Sequence, residues 1–242
     1  PPGIKYDFPQ LDLTSLDGAL EGLKSPNLST RYMAWTKLHQ SGDQAESLLR
    51  QLYRTGDSRE KARALWLLAK IDGKAQQYVT LAAQDRDEEI RATSLRIARQ
   101  TGVDLLTIIR RLKDDESPQV RREALVALRF LGTGEAHELW AHFASKHDGK
   151  DRWYLEALGI GADLHWEGRF SAWLKLIGDQ WNTPAGRDII WRSRSTKAPD
   201  LLASILLDKS TNEDEHPRYL RAFDYHQGPA KDAALEKILL GM

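Results

Sequence analysis

Histidine is the residue type in this chain best suited to metal binding or proton transfer, and three of its seven histidines are evenly spaced. His137, His142 and His147 follow one another at steps of five residues. Because an α-helix turns about 100° per residue, such a step rotates successive side chains by about 140°, whereas ligands on one face need steps of three or four. We therefore predict that these histidines form neither a metal centre nor a catalytic group.

Other motifs that carry chemistry are missing from the sequence. The chain has no cysteine, so it offers no disulfide, no thiolate and no Cys-Xaa-Xaa-Cys-His haem attachment. It also has no glycine-rich phosphate loop, no Gly-Xaa-Ser-Xaa-Gly elbow and no His-Glu-Xaa-Xaa-His. The acidic runs at residues 114–116 and 213–215 lack the ligand order of a calcium loop. The sequence predicts a non-enzyme that holds no cofactor and no metal.

The overall charge bears on the class of partner. Lysine and arginine number 35, as do aspartate and glutamate, so the formal net charge is zero. A general nucleic-acid binder usually carries an overall basic field, although a local basic groove is compatible with this balance. No apolar run approaches the roughly 20 residues that a bilayer span needs. Nucleic acid is thus disfavoured as a partner, and no membrane insertion is expected.

Five of the eight tryptophans fall between Trp153 and Trp191, close to several arginines. Tryptophan and arginine dominate protein interfaces because they bury large areas and keep a polar group available. We predict an interaction surface on this segment, formed by Trp166, Trp181, Arg187, Trp191, Arg192 and Arg194. In contrast, Trp173 shares an apolar stripe with Phe170 and is predicted to be core. The alternative is that the other tryptophans also fill space where a repeat is irregular.

An internal repeat of about 30 residues determines the predicted architecture. An arginine recurs near the start of every second helical segment, at Arg31, Arg63, Arg91, Arg121, Arg152, Arg187 and Arg218. Each segment is preceded by another with apolar residues at helical spacing, which predicts helix pairs that must stack to bury their apolar faces. The fold class is therefore all-α, a right-handed superhelical solenoid of about seven pairs.

The repeat also predicts boundaries along the chain. Residues 1–13 read as an extended linker, and residues 14–242 as one repeat domain. The predicted units are 14–42, 43–73, 74–102, 103–134, 135–164, 165–196 and 197–228, followed by a partial unit at 229–242.

Three central units carry an aspartate six residues before the aligned arginine. The pairs are Asp57 with Arg63, Asp85 with Arg91, and Asp115 with Arg121. An aspartate in the turn can accept amide hydrogens at a helix start, and the arginine can reach a carboxylate in its own or the adjacent unit. We predict a structural ladder that also includes Arg31 and Arg152, against the alternative that the arginines line a phosphate-binding groove.

This turn aspartate, its spacing to arginine and the helix pair resemble the HEAT-repeat family over about residues 14–227. Three segments, at residues 1–13, 23–35 (Leu-Lys-Ser-Pro-Asn-Leu-Ser-Thr-Arg-Tyr-Met-Ala-Trp) and 179–194 (Asp-Gln-Trp-Asn-Thr-Pro-Ala-Gly-Arg-Asp-Ile-Ile-Trp-Arg-Ser-Arg), further resemble the HEAT region of PVC-type multidomain membrane-bound dehydrogenases with a c-type haem domain. In that group a sugar-dehydrogenase-like β-propeller precedes the repeats and a cytochrome segment follows them. The resemblance implies a fragment of an exported, extracytoplasmic (for example periplasmic) oxidoreductase, with no catalytic or haem-ligating residue in this chain.

These observations predict a non-catalytic scaffold whose partners are other proteins or neighbouring domains of the same parent chain. The resemblance narrows this role to a spacer between an oxidoreductase domain and a cytochrome c domain. The alternatives are a nucleic-acid-binding helical repeat and, ranked last, an enzyme. The sequence leaves the oligomeric state open.

Overall fold

A computed structural model describes residues 11–241, which fold into fifteen α-helices and five short 3-10 turns without any strand. The first ten residues of the predicted linker and Met242 lie outside the described residues. The helices are α1 (Leu16–Lys24), α2 (Leu28–Ser41), α3 (Glu46–Thr55), α4 (Ser58–Leu68), α5 (Ala75–Ala82), α6 (Glu88–Thr101), α7 (Leu105–Leu112), α8 (Pro118–Ala127), α9 (Gly134–Ala144), α10 (Arg152–Ala162), α11 (Trp166–Ile177), α12 (Pro184–Arg192), α13 (Ala198–Leu207), α14 (His216–Ala222) and α15 (Pro229–Gly241).

The helices confirm the predicted all-α repeat of about seven helix pairs. Each of the first seven predicted units encloses two helices, except that α9 begins one residue early, at Gly134. The second helix of each pair has an even number. The right-handed sense of the superhelix stays a prediction, as does the single repeat domain. Among residues 11–241, no helix is long and apolar enough to cross a membrane.

The chain divides into two compact units, the first ending at Ile108 and the second beginning at Ile109. In unit 1 the second helices lie in a row, since α2 contacts α4 and α4 contacts α6. Each of them also packs against the first helix of its own pair. Leu38, Leu65, Leu67 and Leu95 are buried between these layers.

In unit 2 the second helices also form a row, in which α8 contacts α10, α10 contacts α12 and α12 contacts α14. First helices approach closely in the other layer, α9 with α11 and α13 with α15. The core holds large aromatic side chains, including Trp140 and Phe143. Trp173 and Phe170 are fully buried with them, which confirms the core prediction for that stripe.

Proline and glycine mark many helix ends as their backbone geometry requires. Pro118 and Pro184 stand at the first position of α8 and α12, where no amide hydrogen is needed. Pro26 differs from these, since it precedes Asn27, the N-cap of α2, and lies outside the helix. Gly42 and Gly102 end α2 and α6 with φ of 51° and 68°, a region that strains residues bearing a β-carbon.

Candidate interaction surface

Three of the predicted ladder arginines brace the turn inside their own repeat. Arg31, Arg91 and Arg121 occupy the fourth position of α2, α6 and α8. A terminal Nη1 of each donates to two main-chain carbonyls, six and five residues back, at 2.8 and 2.7 Å for Arg31, 2.9 and 3.0 Å for Arg91, and 2.6 and 3.0 Å for Arg121. Each of these arginines therefore holds carbonyl oxygens of its own turn, a contact that the sequence did not predict.

Arg63 does not belong to the same set, although its spacing to Asp57 is also six. It lies at the sixth position of α4 and donates to the carbonyl oxygens of Leu23 at 2.9 Å and Lys24 at 3.3 Å, at the end of α1. Asp57 is the N-cap of α4 and forms a capping box with Glu60. The sequence alignment of this repeat was wrong by two residues, and Arg63 stabilises the preceding repeat instead of its own turn.

The other two turn aspartates lie two residues before an N-cap. Asp85 accepts from the amide of Asp87, the N-cap of α6, at 3.0 Å, and Asp115 accepts from the amide of Ser117, which precedes α8, at 3.0 Å. Asp85 also accepts from the hydroxyl of Tyr53 in the preceding repeat at 2.8 Å. These aspartates therefore fix the turn and, at Asp85, tie it to a neighbour.

Links between consecutive second helices come from the N-cap aspartates. Asp87 of α6 accepts from the hydroxyl of Ser58 at the start of α4, and this hydrogen bond is the main cause of the lowered pKa of Asp87. Asp151, the N-cap of α10, pairs with Arg122 of α8 at 3.1 Å. Carboxylates thus link neighbouring repeats through these N-cap residues. Two of the aligned arginines also form such links, since Arg187 pairs with Asp208 and Arg218 with Asp188 of an adjacent unit.

Arg152 is not a ladder residue. Its side chain is 84% exposed, and its Nε lies 4.0 Å from Glu156 one turn along α10. Since α10 begins at Arg152, the fourth position of this helix is occupied by Leu155, which is buried. The arginine period breaks here, and Arg152 is available to solvent.

Of the six residues of the predicted tryptophan–arginine surface, Trp166 is buried and the other five are partly exposed. Trp166 is only 8% exposed and meets Trp140 edge to face at 5.8 Å, so it is not a surface residue. Trp181 lies in a short 3-10 turn. Arg187 is held by Asn182 at 2.7 Å, Asp208 at 2.9 Å and Thr211 at 3.0 Å.

The arginines at the end of α12 are also engaged within the fold. Arg192 approaches Glu156 of α10 at 3.4 Å. Arg194 donates to carbonyls at the end of α12, including that of Ser193 at 2.8 Å, and its guanidinium lies 4.1 Å from the ring centroid of Tyr225. Burial lowers the pKa of Arg194, with the nearby charge of Arg192 adding to the effect.

A different set of aromatic residues faces solvent on the second helices of unit 2. Phe130 follows α8 and is 70% exposed, Trp153 lies on α10 and is 72% exposed, and Tyr225 follows α14 and is 58% exposed. The half-buried Trp191 of α12 lies between them in the row. We call the exposed parts of this row that carry Phe130, Trp153, Trp191 and Tyr225 the aromatic surface; Trp153 lies at the start of its helix, whereas Phe130 and Tyr225 follow the ends of theirs.

Arginines back three of these four rings. The guanidinium carbon of Arg129 lies 5.5 Å from the ring centroid of Phe130, that of Arg218 lies 4.6 Å from Trp191, and that of Arg194 lies 4.1 Å from Tyr225. Sequence reasoning assigned Trp173 to the core, selected Trp166, Trp181 and Trp191 for the surface, and did not select Trp153. The position of Trp153 around its helix could have identified it. Trp153 and Ile160 are seven residues apart and therefore lie on the same, exposed face of α10, whereas Tyr154 and Leu158 lie on the buried face.

A cleft of about 400 Å³ lies beside Trp191, between α10, α12 and the start of α14. At its base, Asp188 meets Nε2 of the buried His147 at 3.0 Å and Nη2 of Arg218 at 2.6 Å. Burial alone would raise the pKa of Asp188, but the hydrogen bonds from His147 and Arg218 outweigh it and lower that pKa. Asp188 is therefore a charged anchor for Arg218. We call this space, with its lining residues Lys150, Arg152, Leu155, Asp188, Trp191 and Arg218, the Trp191 cleft.

A larger cavity of about 790 Å³ lies on the first helices of unit 2, lined by Leu139, Ala172 and Leu176. Arg110 and Glu135 pair at its edge. Nowhere in residues 11–241 do three histidine, cysteine or acidic side chains gather as metal ligands would. The residues that line these two spaces include no serine, threonine or cysteine.

Comparison with known proteins identifies no family for this chain. No family model matches it, and no curated protein matches it. A solved engineered protein is 16% identical, with 93% of this chain and 71% of that chain covered and a TM-score of 0.42. The designed armadillo repeat protein YIII(Dq)4CqI is 18% identical, with 93% and 100% covered and a TM-score of 0.31. The designed armadillo repeat protein YIII(Dq.V1)4CPAF in complex with peptide (KR)4 is 18% identical, with 94% and 99% covered and a TM-score of 0.29.

Proposed function

We propose that this chain is a non-catalytic scaffold that binds a protein partner through the aromatic surface of unit 2. The exposure of Trp153 carries this proposal. A tryptophan that is 72% exposed on a helix leaves a large apolar ring in water, and large rings gathered on one row of helices are typical of binding surfaces. Arginine and tryptophan are also the residues that most often dominate binding energy.

The fold holds two parts of this surface in place before any partner arrives. Asp188 fixes Arg218 beside Trp191, and the carbonyls at the end of α12 fix Arg194 beside Tyr225. Side chains that are already ordered lose less conformational entropy on binding. This preorganisation supports docking of a folded domain or an ordered segment.

The more specific part of the proposal is that the partner belongs to the same parent protein. In this proposal the chain spaces an oxidoreductase domain from a cytochrome c domain in an extracytoplasmic protein. Support comes from the resemblance of residues 1–13, 23–35 and 179–194 to such multidomain proteins. The open reading frame on either side tests it directly. We expect a β-propeller upstream and a Cys-Xaa-Xaa-Cys-His segment downstream, and a frame with neither would refute the spacer role.

The surface itself is tested by binding of the flanking domains, produced separately and titrated against this chain by calorimetry. We expect Trp153→Ala to weaken the binding by about 30-fold, the loss of about 2 kcal/mol that defines a central interface residue. Tyr32→Ala is the matched control, because Tyr32 is 70% exposed on the second helix α2 of unit 1. Unchanged affinity in the Trp153 variant would place docking elsewhere.

Nucleic acid is a less favoured partner on local charge as well as on composition. Asp151, Glu156 and Asp188 lie among the cations of the Trp191 cleft. A phosphodiester backbone carries a charge at every step, and its regular spacing does not match a cleft in which cations and carboxylates are interspersed. Retention of the chain on DNA at low salt, with steep loss as salt rises, would reverse this ranking.

A further inference from the structure

The acidic side chains that line the Trp191 cleft are already paired within the fold. Asp188 is only 13% exposed and is bound by His147 and Arg218. Asp151 is paired with Arg122 of the preceding repeat, and Glu156 with Arg192. Each of these carboxylates therefore already has an arginine of the fold as its partner.

The cationic side chains of the same cleft are more exposed to solvent than the acidic ones. Arg152 is 84% exposed and touches Glu156 only at 4.0 Å. Arg218 is 39% exposed although it is anchored by Asp188. Lys150 is exposed, and its ammonium group has no acidic partner among residues 11–241. Lys150 and Arg152 are thus the exposed cations of the cleft, and neither is held closely by a carboxylate.

Apolar walls complete the cleft. The ring of Trp191 lies half-buried under Arg218, and Leu155 contributes a buried aliphatic side chain from α10. A volume of about 400 Å³ has room for a few side chains. The combination of apolar walls and exposed cations complements a short segment with carboxylates on either side of an apolar residue.

We propose that the Trp191 cleft binds an extended, acidic peptide segment of the protein partner. This inference rests on the proposed function and names the chemistry of the partner. Carboxylates of the segment pair with Lys150, Arg152 and Arg218, and an apolar side chain packs on Trp191. A peptide can place its few charges opposite these cations and avoid Asp148 and Asp151, which a polynucleotide with regular phosphates cannot do.

Selection from a peptide library tests the proposal and needs no purified partner. A display library of random twelve-residue peptides is selected on the full chain at 50 mM salt. The expected result is enrichment of peptides with two or more acidic residues around an apolar one. Enrichment without acidic residues, or no enrichment at all, overturns the proposal.

Charge reversal then locates the site. The enriched peptide is labelled and titrated by fluorescence polarisation against wild type and against the double variant Lys150→Glu with Arg152→Glu. We expect at least about a tenfold loss of affinity, since two attractive contacts become repulsive. The matched control is Arg59→Glu with Lys70→Glu, because Arg59 is also exposed in the first turn of a second helix and Lys70 is exposed. Equal loss in both variants indicates attraction to net charge alone and overturns the cleft assignment.

Two further measurements separate the outcomes. A peptide with glutamine in place of its acidic residues should bind about tenfold more weakly, and equal binding overturns the role of charge. A single-stranded oligonucleotide that binds as tightly and is equally sensitive to Lys150→Glu with Arg152→Glu overturns the peptide in favour of nucleic acid. If the flanking domains bind the charge-reversed chain at wild-type affinity but lose binding in Trp153→Ala, only this inference fails and the proposed function stands.

Discussion

Gly161 of α10 lies so close to the main chain of α8 that a β-carbon at this position would clash with the carbonyl oxygen of Leu125. The two second helices approach each other through this glycine. Since a carbonyl oxygen within a helix cannot move without shifting the helix, Gly161→Ala is expected to lower the free energy of unfolding by about 2 kcal/mol, as overpacking of a tight contact does. Urea denaturation followed by circular dichroism measures the change.

Gly159 in the same helix provides the control. A β-carbon there would meet the guanidinium of Arg192, and this group is the mobile end of a long side chain. We expect Gly159→Ala to stay within about 1 kcal/mol of wild type, because the gain in helix propensity offsets displacement of the arginine. Equal destabilisation by the two substitutions would contradict this account of the helix contact.

The arginines of the predicted ladder should differ sharply in their effect on stability. Arg121→Ala removes two charged hydrogen bonds to the carbonyls of Asp115 and Glu116, and we expect a loss of about 2 kcal/mol. Arg152→Ala removes an exposed, loose ion pair, and we expect a change below about 0.5 kcal/mol. Thermal and urea unfolding of both variants measure these losses. Similar losses of stability in the two variants would show that Arg152 has the structural role predicted for the ladder.

Asp188 is expected to stabilise unit 2 through its two partners. Asp188→Ala leaves Nε2 of the buried His147 without its acceptor and releases Arg218, which predicts a loss of about 2 kcal/mol at pH 7. Because the folded-state pKa of Asp188 is lowered, its contribution is present above the unfolded value near 3.9 and is lost as pH falls through the folded value. The difference in the free energy of unfolding between the variant and the wild type should therefore become smaller in acid. A difference that stays constant down to pH 2 would show that the charge of Asp188 does not cause it.

Two histidines, the half-buried His137 and the buried His226, predict a loss of stability on mild acidification. Burial lowers the pKa of His137, with the charges of Arg169 and His165 adding, and burial followed by the charges of Arg194 and Lys231 lowers that of His226. As pH falls through about 6.5 the unfolded chain takes up protons that the folded chain does not, so the free energy of unfolding decreases.

The measurement is urea unfolding at pH 7.5 and pH 5.5. We expect the decrease to be smaller when His137 and His226 are both replaced by glutamine. His39→Gln, at an exposed position of α2, is the control and should leave the pH dependence of wild type. A decrease that is unchanged in the double variant would assign the acid sensitivity to other groups.

The helix pairs were predictable from sequence because their signals are local. Apolar spacing, the prolines at the start of α8 and α12, and the glycines after α2 and α6 each act within one turn of chain. The partner of a long side chain is not local. The six-residue spacing of Asp57 to Arg63 equals that of Asp85 to Arg91, yet Arg63 starts two residues further into its helix and reaches α1 instead.

The candidate site was harder to predict for the same reason. Trp153 and Trp166 are alike in type and in sequence neighbourhood, but one is exposed and the other packs on Trp140. This difference in exposure depends on how each helix is rotated about its axis and on whether a neighbouring helix covers the tryptophan. The Trp191 cleft depends on Asp188 and Arg218, which are 30 residues apart and meet only when α12 and α14 pack.

The arginine brace has a consequence for how such arrays can be recombined. Arg31, Arg91 and Arg121 hold carbonyls of their own turn, so a segment cut at repeat boundaries carries this support with it into a new neighbourhood. Arg63 instead holds the end of α1, and a cut between the first and second repeats separates donor from acceptor. In a chimaera, the third and the fourth repeat can each be transferred alone and keep the hydrogen bonds of their arginine. The first two repeats must be transferred together to keep those of Arg63.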